Sequence, residues 1–228
     1  MAAPTRRRKP VSRRGDGARD RIVAAALKAL VEGDGEFEIG DVARRAGVSV
    51  GLAYHYFGSK AGLIAVLITD FHNRHEAVVN QSFDQSLPWP VREKARLKVN
   101  IEFLYSDPVA PVMMGKLGSS AEVNAIDTGR RAAMVDMAAR NIARGQQDGF
   151  IAADIDAKIA AAAIIGGINQ AVAQAIALRK RPAADRLTEQ LWNFIAGGLS
   201  LEQPTPQRPT RPGRRARGPV RSSAIMQP

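Results

Sequence analysis

The sequence predicts an all-α protein of about nine helices, with a three-helix head near the N-terminus and a larger helical body. Apolar residues recur every three or four positions through most of residues 20–199, which is the spacing of one face of a helix. No sustained alternation of β-branched and polar residues occurs, so a sheet is not expected. The chain has 228 residues, 45% of them hydrophobic, enough for a sizeable core.

Helix start and stop signals divide this pattern into segments. The first helix is expected over about residues 20–32, because glycines follow it directly. Hydroxyl side chains suited to helix N-caps precede the third helix at Ser49, the fourth at Ser59 and the seventh at Ser119. Asp154 is the expected cap of the eighth helix.

The fourth helix is expected to be long and to link head and body. Its predicted buried side consists of Leu63, Leu67, Phe71 and Val78. His72 and His75 are three residues apart and could suggest a metal site. With three histidines and no cysteine in the chain, we expect no metal there and interpret them as part of a solvated helix face.

Residues 159–178 are largely apolar and long enough to raise the question of a membrane span. The segment is mostly alanine and contains Asn169, Gln170 and Gln174. We therefore expect a buried interface helix and no membrane partner. Gly166 and Gly167 would permit close approach of another helix.

The formal net charge of +11 resides in the two ends of the chain. Residues 1–19 carry seven basic residues and one acidic residue, and residues 202–228 carry six and one, so the middle is neutral. Both ends are rich in proline and arginine and lack apolar periodicity, which predicts two disordered basic tails. Such tails attract nucleic acids, although many serve only as solvated termini.

Several function classes are disfavoured by what the sequence lacks. Without cysteine, disulfides, thiolate metal sites and a cysteine nucleophile are excluded. No glycine-rich phosphate loop, GxSxG turn or recognisable carboxylate pair occurs, so we expect neither an enzyme nor a cofactor. No secretory signal pattern is seen at the N-terminus, and a cytoplasmic, nucleoid-associated protein is expected.

Three short helices followed by a long one, with a glycine turn between the second and third, describe a helix-turn-helix. Gly47 occupies the turn, and a small shared core is predicted to hold the third helix at an angle that can enter a major groove. The expected core residues are Val42, Ala43, Val48, Leu52 and Phe57.

The residues around this turn resemble the signature of the TetR family of bacterial repressors. The resemblance rests on Asp41-Val42-Ala43-Arg44-Arg45-Ala46-Gly47-Val48-Ser49 and on Tyr54-His55-Tyr56-Phe57-Gly58-Ser59-Lys60-Ala61-Gly62-Leu63. It covers about residues 19–67, whereas the remainder is similar to the family in helix count and order. Phe37-Glu38 and Gly40 depart from the family pattern, because the hydroxyl and the polar side chain often found there are missing.

The resemblance implies a set of DNA contacts. Tyr54, Lys60 and Arg44 would contact phosphates, and Ser49 would add a hydroxyl or backbone contact. Val50, Gly51 and His55 would face base edges, since a glycine permits close backbone approach and a valine can touch a thymine methyl. The N-terminal arm, through Arg13, Arg14 and Arg19, could enter the minor groove.

The body offers candidates for an effector pocket and a dimer interface. Aromatic, methionine and amide side chains could line a pocket or belong to the core: Phe103, Tyr105, Met113, Met114, Asn169 and Gln170. Apolar residues at about four-residue spacing on the last two helices are expected to pair two copies, as the family does: Ile164, Ile168, Val172, Leu191, Ile195 and Leu199.

The sequence therefore predicts a ligand-responsive regulator, a repressor that binds a near-palindromic operator as a homodimer and is released by an unknown small molecule. The alternative is an architectural or weakly specific DNA-binding protein that uses its basic tails. The expected division is a disordered basic arm, a helix-turn-helix domain, a ligand-binding and dimerisation domain, and a disordered basic tail: residues 1–18, 19–65, 66–201 and 202–228.

Overall fold

The computed structural model of the chain describes residues 13–115 and 121–201, and these form nine α-helices and no strand. The predicted all-α class is confirmed. The helices are α1 (Arg13–Glu32), α2 (Ile39–Ala46), α3 (Val50–Phe57), α4 (Lys60–Val79), α5 (Trp89–Ser106), α6 (Ala110–Met114), α7 (Ala121–Gln147), α8 (Ala157–Ala177) and α9 (Ala184–Gly198). The predicted tail at residues 202–228, most of the predicted arm and the Ser119 cap lie outside the described residues.

The first helix begins earlier than predicted. It starts at Arg13, so residues 13–18 are helical where a disordered arm was expected. The reason is visible at Ala18, which is buried and extends the inward stripe one turn ahead of Ile22. A helix that already packs at this position can continue its hydrogen-bonded ladder toward the N-terminus at little cost.

α1, α2 and α3 form the head, whose buried side chains belong to one hydrophobic cluster that continues into the body. Fully buried side chains from α1 and α2 meet there, among them Ile22, Leu30 and Val42. Ala53 is the only buried residue of α3, whereas the predicted core residues Leu52 and Phe57 are half-buried. The Arg21 side chain donates from Nε to the Ala46 carbonyl oxygen at 3.1 Å and fastens α1 to the end of α2.

α4 leaves the head and continues into the body. Leu63, Leu67 and Phe71 are buried as predicted, but Val79 is buried instead of Val78, which is half-buried. The buried stripe continues at four-residue steps through His75. The predicted solvated face is therefore wrong for His75, whose ring is accommodated in the core by a hydrogen bond to Asn100.

The body, α5–α9, packs around α4. α4 packs against α5 and α7, α7 packs against α8, and α5 packs against α9. Trp89 at the start of α5 donates from its indole nitrogen to the Asn141 carbonyl oxygen at 2.8 Å, which fixes α5 to α7. At the other end of α5, the buried Asp107 accepts from the Val109 amide and pairs with Arg74 of α4.

α8 is capped by Asp156 and not by Asp154. The Asp156 carboxylate accepts from the amides of Lys158 and Ile159, both at 2.9 Å. By length and composition α8 is the one described helix apolar enough to cross a membrane, and 22% of its most apolar window is buried within the protomer. Core helices of soluble proteins pass the same test, but this helix leaves most of that window uncovered.

Candidate DNA-binding surface and effector cavity

The turn between α2 and α3 sets the angle between the two helices. Gly47 ends α2 with φ 65° and ψ 40°, a left-handed conformation that side-chain-bearing residues rarely adopt. The next amide, that of Val48, donates to the Ala43 carbonyl oxygen at 3.0 Å and closes the turn. Ser49 then caps α3 by accepting from the Leu52 amide at 3.2 Å, as its position in the sequence predicts.

One face of α3 is turned outward. Val50 is 43% exposed and Tyr54 49% exposed, and Gly51 and His55 are exposed between them. A Cβ built on Gly51 would meet nothing within 4 Å, so the open space lies directly against the backbone of the helix. Val50 and Tyr54 are four residues apart on one helix, so they form a single exposed strip along α3.

Lys60 stands at the start of α4, beside this face, and is held by acidic residues. Its ammonium is 3.1 Å from a Glu36 carboxylate oxygen and 4.0 Å from one of Glu38, and it lies over the Phe37 ring. Neither carboxylate was predicted as its partner, although Phe37-Glu38 was recognised as a departure from the family pattern. A phosphate contact by Lys60 would have to compete with both glutamates.

The other predicted cation contacts differ in their surroundings. Arg44 is 76% exposed on α2 and pairs with Asp41 at 2.5 Å, a solvent-screened contact that costs little to break. Arg19 lies over the Phe57 ring, 5.6 Å from its centroid, which places a cation next to the end of α3. The side chains of Arg13 and Arg14 lie outside the described residues.

The body encloses two adjoining chambers. The inner chamber, about 110 Å³, lies among α4, α5, α7, α8 and α9, and the outer chamber, about 560 Å³, opens among α4, α6, α7 and α8. The side chains common to both chambers form a neck between them: His75, Met134, Ile165 and Asn169. Both tryptophans of the chain, Trp89 and Trp192, line the inner chamber with their rings 6.5 Å apart.

His75 is the polar centre of the neck. Burial lowers its pKa below the ordinary value, against the opposing effect of its hydrogen bond to Asn100. Its Nε2 lies 2.6 Å from the Asn100 amide oxygen, which only accepts, so Nε2 donates and Nδ1 is the acceptor of a neutral ring. The Phe103 ring stacks on the far side at 5.3 Å between centroids.

Comparison with known proteins gives the head a family. A family model described as bacterial regulatory proteins of the tetR family matches residues 22–67, which span most of α1, all of α2 and α3, and the start of α4. The resemblance of this segment to the TetR family, inferred from its motif, is thereby confirmed. No curated protein has a sequence that matches this one.

Solved structures of bacterial regulators share this fold over most of the chain. The fatty acid degradation regulator FadR from Bacillus halodurans is 18% identical, with a TM-score of 0.63 over 85% of this chain and 100% of its own. FadR from Bacillus subtilis, solved with stearoyl-CoA, is 18% identical, with a TM-score of 0.63 over 79% of this chain and 98% of its own. SmeT, the repressor of a Stenotrophomonas maltophilia multidrug efflux pump, is 17% identical, with a TM-score of 0.68 over 86% of this chain and 97% of its own.

Within this TetR fold, four of the six predicted pocket residues line a chamber. Met113, Met114 and Gln170 border the outer chamber, and Asn169 borders both. Phe103 packs behind His75 without lining either chamber, and Tyr105 lies under the Arg181 guanidinium, 4.2 Å from its ring centroid.

Sequence reasoning missed His75, Asn100 and both tryptophans as chamber residues. A signal existed for one of them, since His75 continues the four-residue stripe of α4. Nothing in the sequence separates the tryptophans of a cavity wall from those of a solid core.

The predicted dimer stripe faces the protomer's own core. Of its six residues the four that are buried are Ile168, Val172, Ile195 and Leu199. These four are at most 8% exposed in the protomer, so they offer little surface to a second copy. Ile164 lines the inner chamber, and Leu191 is half-buried. Periodicity shows that a face is buried but not what buries it, and the role of this stripe in a dimer stays a prediction.

The opposite faces of α8 and α9 are exposed and apolar. Ile159 is 70% exposed and Phe194 76% exposed. The same two helices carry four exposed glycines with open space at their Cβ positions: Gly166, Gly167, Gly197 and Gly198. We call this surface the α8–α9 outer face.

Proposed function

We propose that this protein is a homodimeric, ligand-responsive regulator of transcription, a repressor without enzymatic activity that acts on chromosomal DNA in the cytoplasm. The observation that carries the proposal is the outward face of α3, an exposed helix edge set at a fixed angle by the Gly47 turn. Two further features support it: a cavity in the body and an uncovered apolar face on α8 and α9.

The DNA contacts follow from the geometry of α3. A single helix fits a major groove about 12 Å wide, and its first turn approaches the base edges. Val50, Gly51 and His55 are exposed on that turn and the next, which supports their assignment to the base edges. Tyr54 and Ser49 offer hydroxyls to the phosphates. Arg44 and Lys60 add positively charged contacts to the same groups.

Dimerisation follows from the α8–α9 outer face. One α3 touches only a few base pairs, too few to select a site in a genome, whereas a two-fold pair reads two half-sites. Exposed Phe194 and Ile159 are the apolar groups such a pairing would bury. The exposed glycines on these helices would let the two helix pairs approach closely.

The cavity supplies the means of regulation. We call the outward face of α3 (Val50, Gly51, Tyr54 and His55) the reading face. α4 begins at Lys60, shortly after α3, and extends to His75 and Val79 in the chamber wall, so a displacement there moves the head. An effector must bind the DNA-free arrangement more tightly than the DNA-bound one, since equal binding would shift nothing. The Bacillus subtilis protein solved with stearoyl-CoA is an example of this fold with a small molecule, and it supports a ligand here.

The test is selection of DNA from a randomised duplex library by the full chain, in the presence of excess random competitor, followed by footprinting of its own upstream region. The proposal expects a near-palindromic consensus that is protected in the footprint. Retention of DNA without a consensus would contradict it and favour weakly specific binding by the basic ends of the chain. A control chain with Tyr54→Ala and His55→Ala should retain no consensus.

A further inference from the structure

The two chambers differ in charge. The described residues that line the outer chamber include two arginines, Arg130 and Arg131, and no aspartate or glutamate. Among the described residues that line the inner chamber, the charged ones are Glu93 and Arg96, which pair with each other at 3.2 Å. The outer end of the cavity therefore presents guanidinium groups, one of them paired with Glu76 of α4, whereas the inner end holds an ion pair closed within its own wall.

The inner chamber is built for an apolar group. Its wall is formed by two tryptophan rings, two methionines and a set of branched aliphatic side chains: Val79, Leu97, Ile142, Ile164, Ile165, Ile168, Ile195 and Leu199. The polar atoms at its outer limit belong to neutral groups, the His75 ring and the Asn100 and Asn169 amides. A charge placed in this chamber would lose its hydration without a counter-ion, so the chamber disfavours it.

We propose that the effector is an elongated amphipathic anion. Its hydrocarbon or aryl chain occupies the inner chamber and passes the neck at His75, and its carboxylate, phosphate or sulfonate lies in the outer chamber on Arg130 and Arg131. The inference rests on the proposed function, because it names the ligand class of the same cavity. Guanidinium groups suit this role, since they bind oxyanions through two parallel N–H donors.

Arg130 also explains how binding of such an anion would affect the head. It belongs to α7, and it donates to the Glu76 carboxylate at 2.7 Å and to the Asn73 amide oxygen at 3.0 Å, both on α4. An anion that takes over these donors loosens the link between α7 and α4. α4, which joins the head to the body, is then free to shift, and the anion favours the state in which the link is open.

The test uses the two tryptophans as reporters, because both line the inner chamber and a bromine atom quenches indole fluorescence on contact. The probes are ω-bromoundecanoate and ω-bromoundecanol, which share a chain and differ in the charge of the head. At pH 7.5, below the concentrations at which either aggregates, we expect both to quench and the carboxylate to bind about tenfold more tightly. Equal affinities, or no quenching by the carboxylate, would overturn the proposal.

Substitutions of the two chamber arginines test where the anionic head group binds. Arg130→Gln and Arg131→Gln should each reduce the advantage of the carboxylate severalfold and leave the alcohol's affinity unchanged, which also reports an intact chamber. Arg140→Gln, an exposed arginine of α7 that lines neither chamber, is the matched control and should retain the full advantage. If the advantage survives in both chamber variants, the assignment of the outer chamber is wrong.

The result separates this inference from the proposed function. The quenching assay contains no DNA, and the DNA selection contains no ligand. A chain that selects a palindrome and binds alcohol and carboxylate equally would refute the ligand class alone. A chain that prefers the carboxylate and selects no sequence would refute the regulator and leave the ligand class standing.

Discussion

The head and the body differ in how completely each buries its apolar residues. In the head, Ile22, Leu30 and Val42 are fully enclosed, and large apolar exposure is confined to the reading face at Val50 and Tyr54. The body surrounds two chambers and leaves Phe194 and Ile159 in solvent. The head thus leaves large apolar side chains uncovered only where DNA is proposed to bind, whereas the body leaves both a cavity and an exposed apolar face, which the proposed ligand and second copy would cover.

The largest effect is expected from the α8–α9 outer face. Phe194→Glu places a charge where the proposed partner packs, so the chain should sediment as a 24.5 kDa monomer and lose at least about 100-fold in affinity for its palindrome. Because the side chain is 76% exposed in the protomer, the fold should survive. Sedimentation and DNA titration of the same preparation give both values.

Val91→Glu is the matched control for that experiment. Val91 is 48% exposed at the start of α5, outside the α8–α9 outer face, and its variant should remain dimeric. A Phe194→Glu chain that stays dimeric with full affinity would place the interface elsewhere. Ile195→Glu would be uninformative, since that side chain is buried in the protomer and its loss destabilises the body.

Smaller changes in DNA affinity are expected at the start of α4, and they differ in direction between the two variants. Lys60→Ala should weaken DNA binding about tenfold and lower the slope of log affinity against log salt by about 0.9. The double change Glu36→Gln with Glu38→Gln removes the competing carboxylates and should tighten binding about two- to fivefold. Fluorescence anisotropy at several salt concentrations measures both. An unchanged slope for Lys60→Ala would show that Lys60 stays on the glutamates in the complex.

The smallest effect is the pH dependence of the body. Burial lowers the pKa of His75, so below about pH 6.5 the unfolded chain binds a proton that the folded chain resists. Stability is therefore lost as pH falls from 6.5 toward the lowered pKa. The melting temperature followed by tryptophan fluorescence, which reports the body alone, should drop between pH 7.5 and 5.5. His75→Gln should show a smaller drop, and an equal one would assign the effect to other groups.

The sequence was most informative where local chemistry determines structure. The Ser49 and Ser59 caps and the Gly47 turn depend on a few adjacent residues, and all three are found as predicted. The exposure of Val50, Gly51, Tyr54 and His55 then follows from the turn geometry. Their roles on DNA remain predictions.

The sequence was least informative where several partners compete for one apolar stripe. Val172 and Ile195 have the spacing of an interface and are buried in the protomer. The sequence predicts His75 on a solvated face, but the residue is buried. Its partner Asn100 is 25 residues away on another helix, so the local sequence does not reveal the pairing. The partners of Lys60 were also missed, since the fold brings Glu36 to it across the head. Long-range pairings of this kind leave no local pattern.

The most direct test of the account is the DNA affinity of Gly51→Leu beside that of Gly129→Leu. Both glycines are helical with open space at their Cβ positions, so neither variant should fold less stably than the parent chain. Only Gly51 lies on the reading face, where a larger side chain would hold the backbone away from the bases. The account predicts that Gly51→Leu loses at least about tenfold in affinity for the selected palindrome and that Gly129→Leu loses none. A Gly51→Leu chain that folds and binds as tightly as the parent would contradict it.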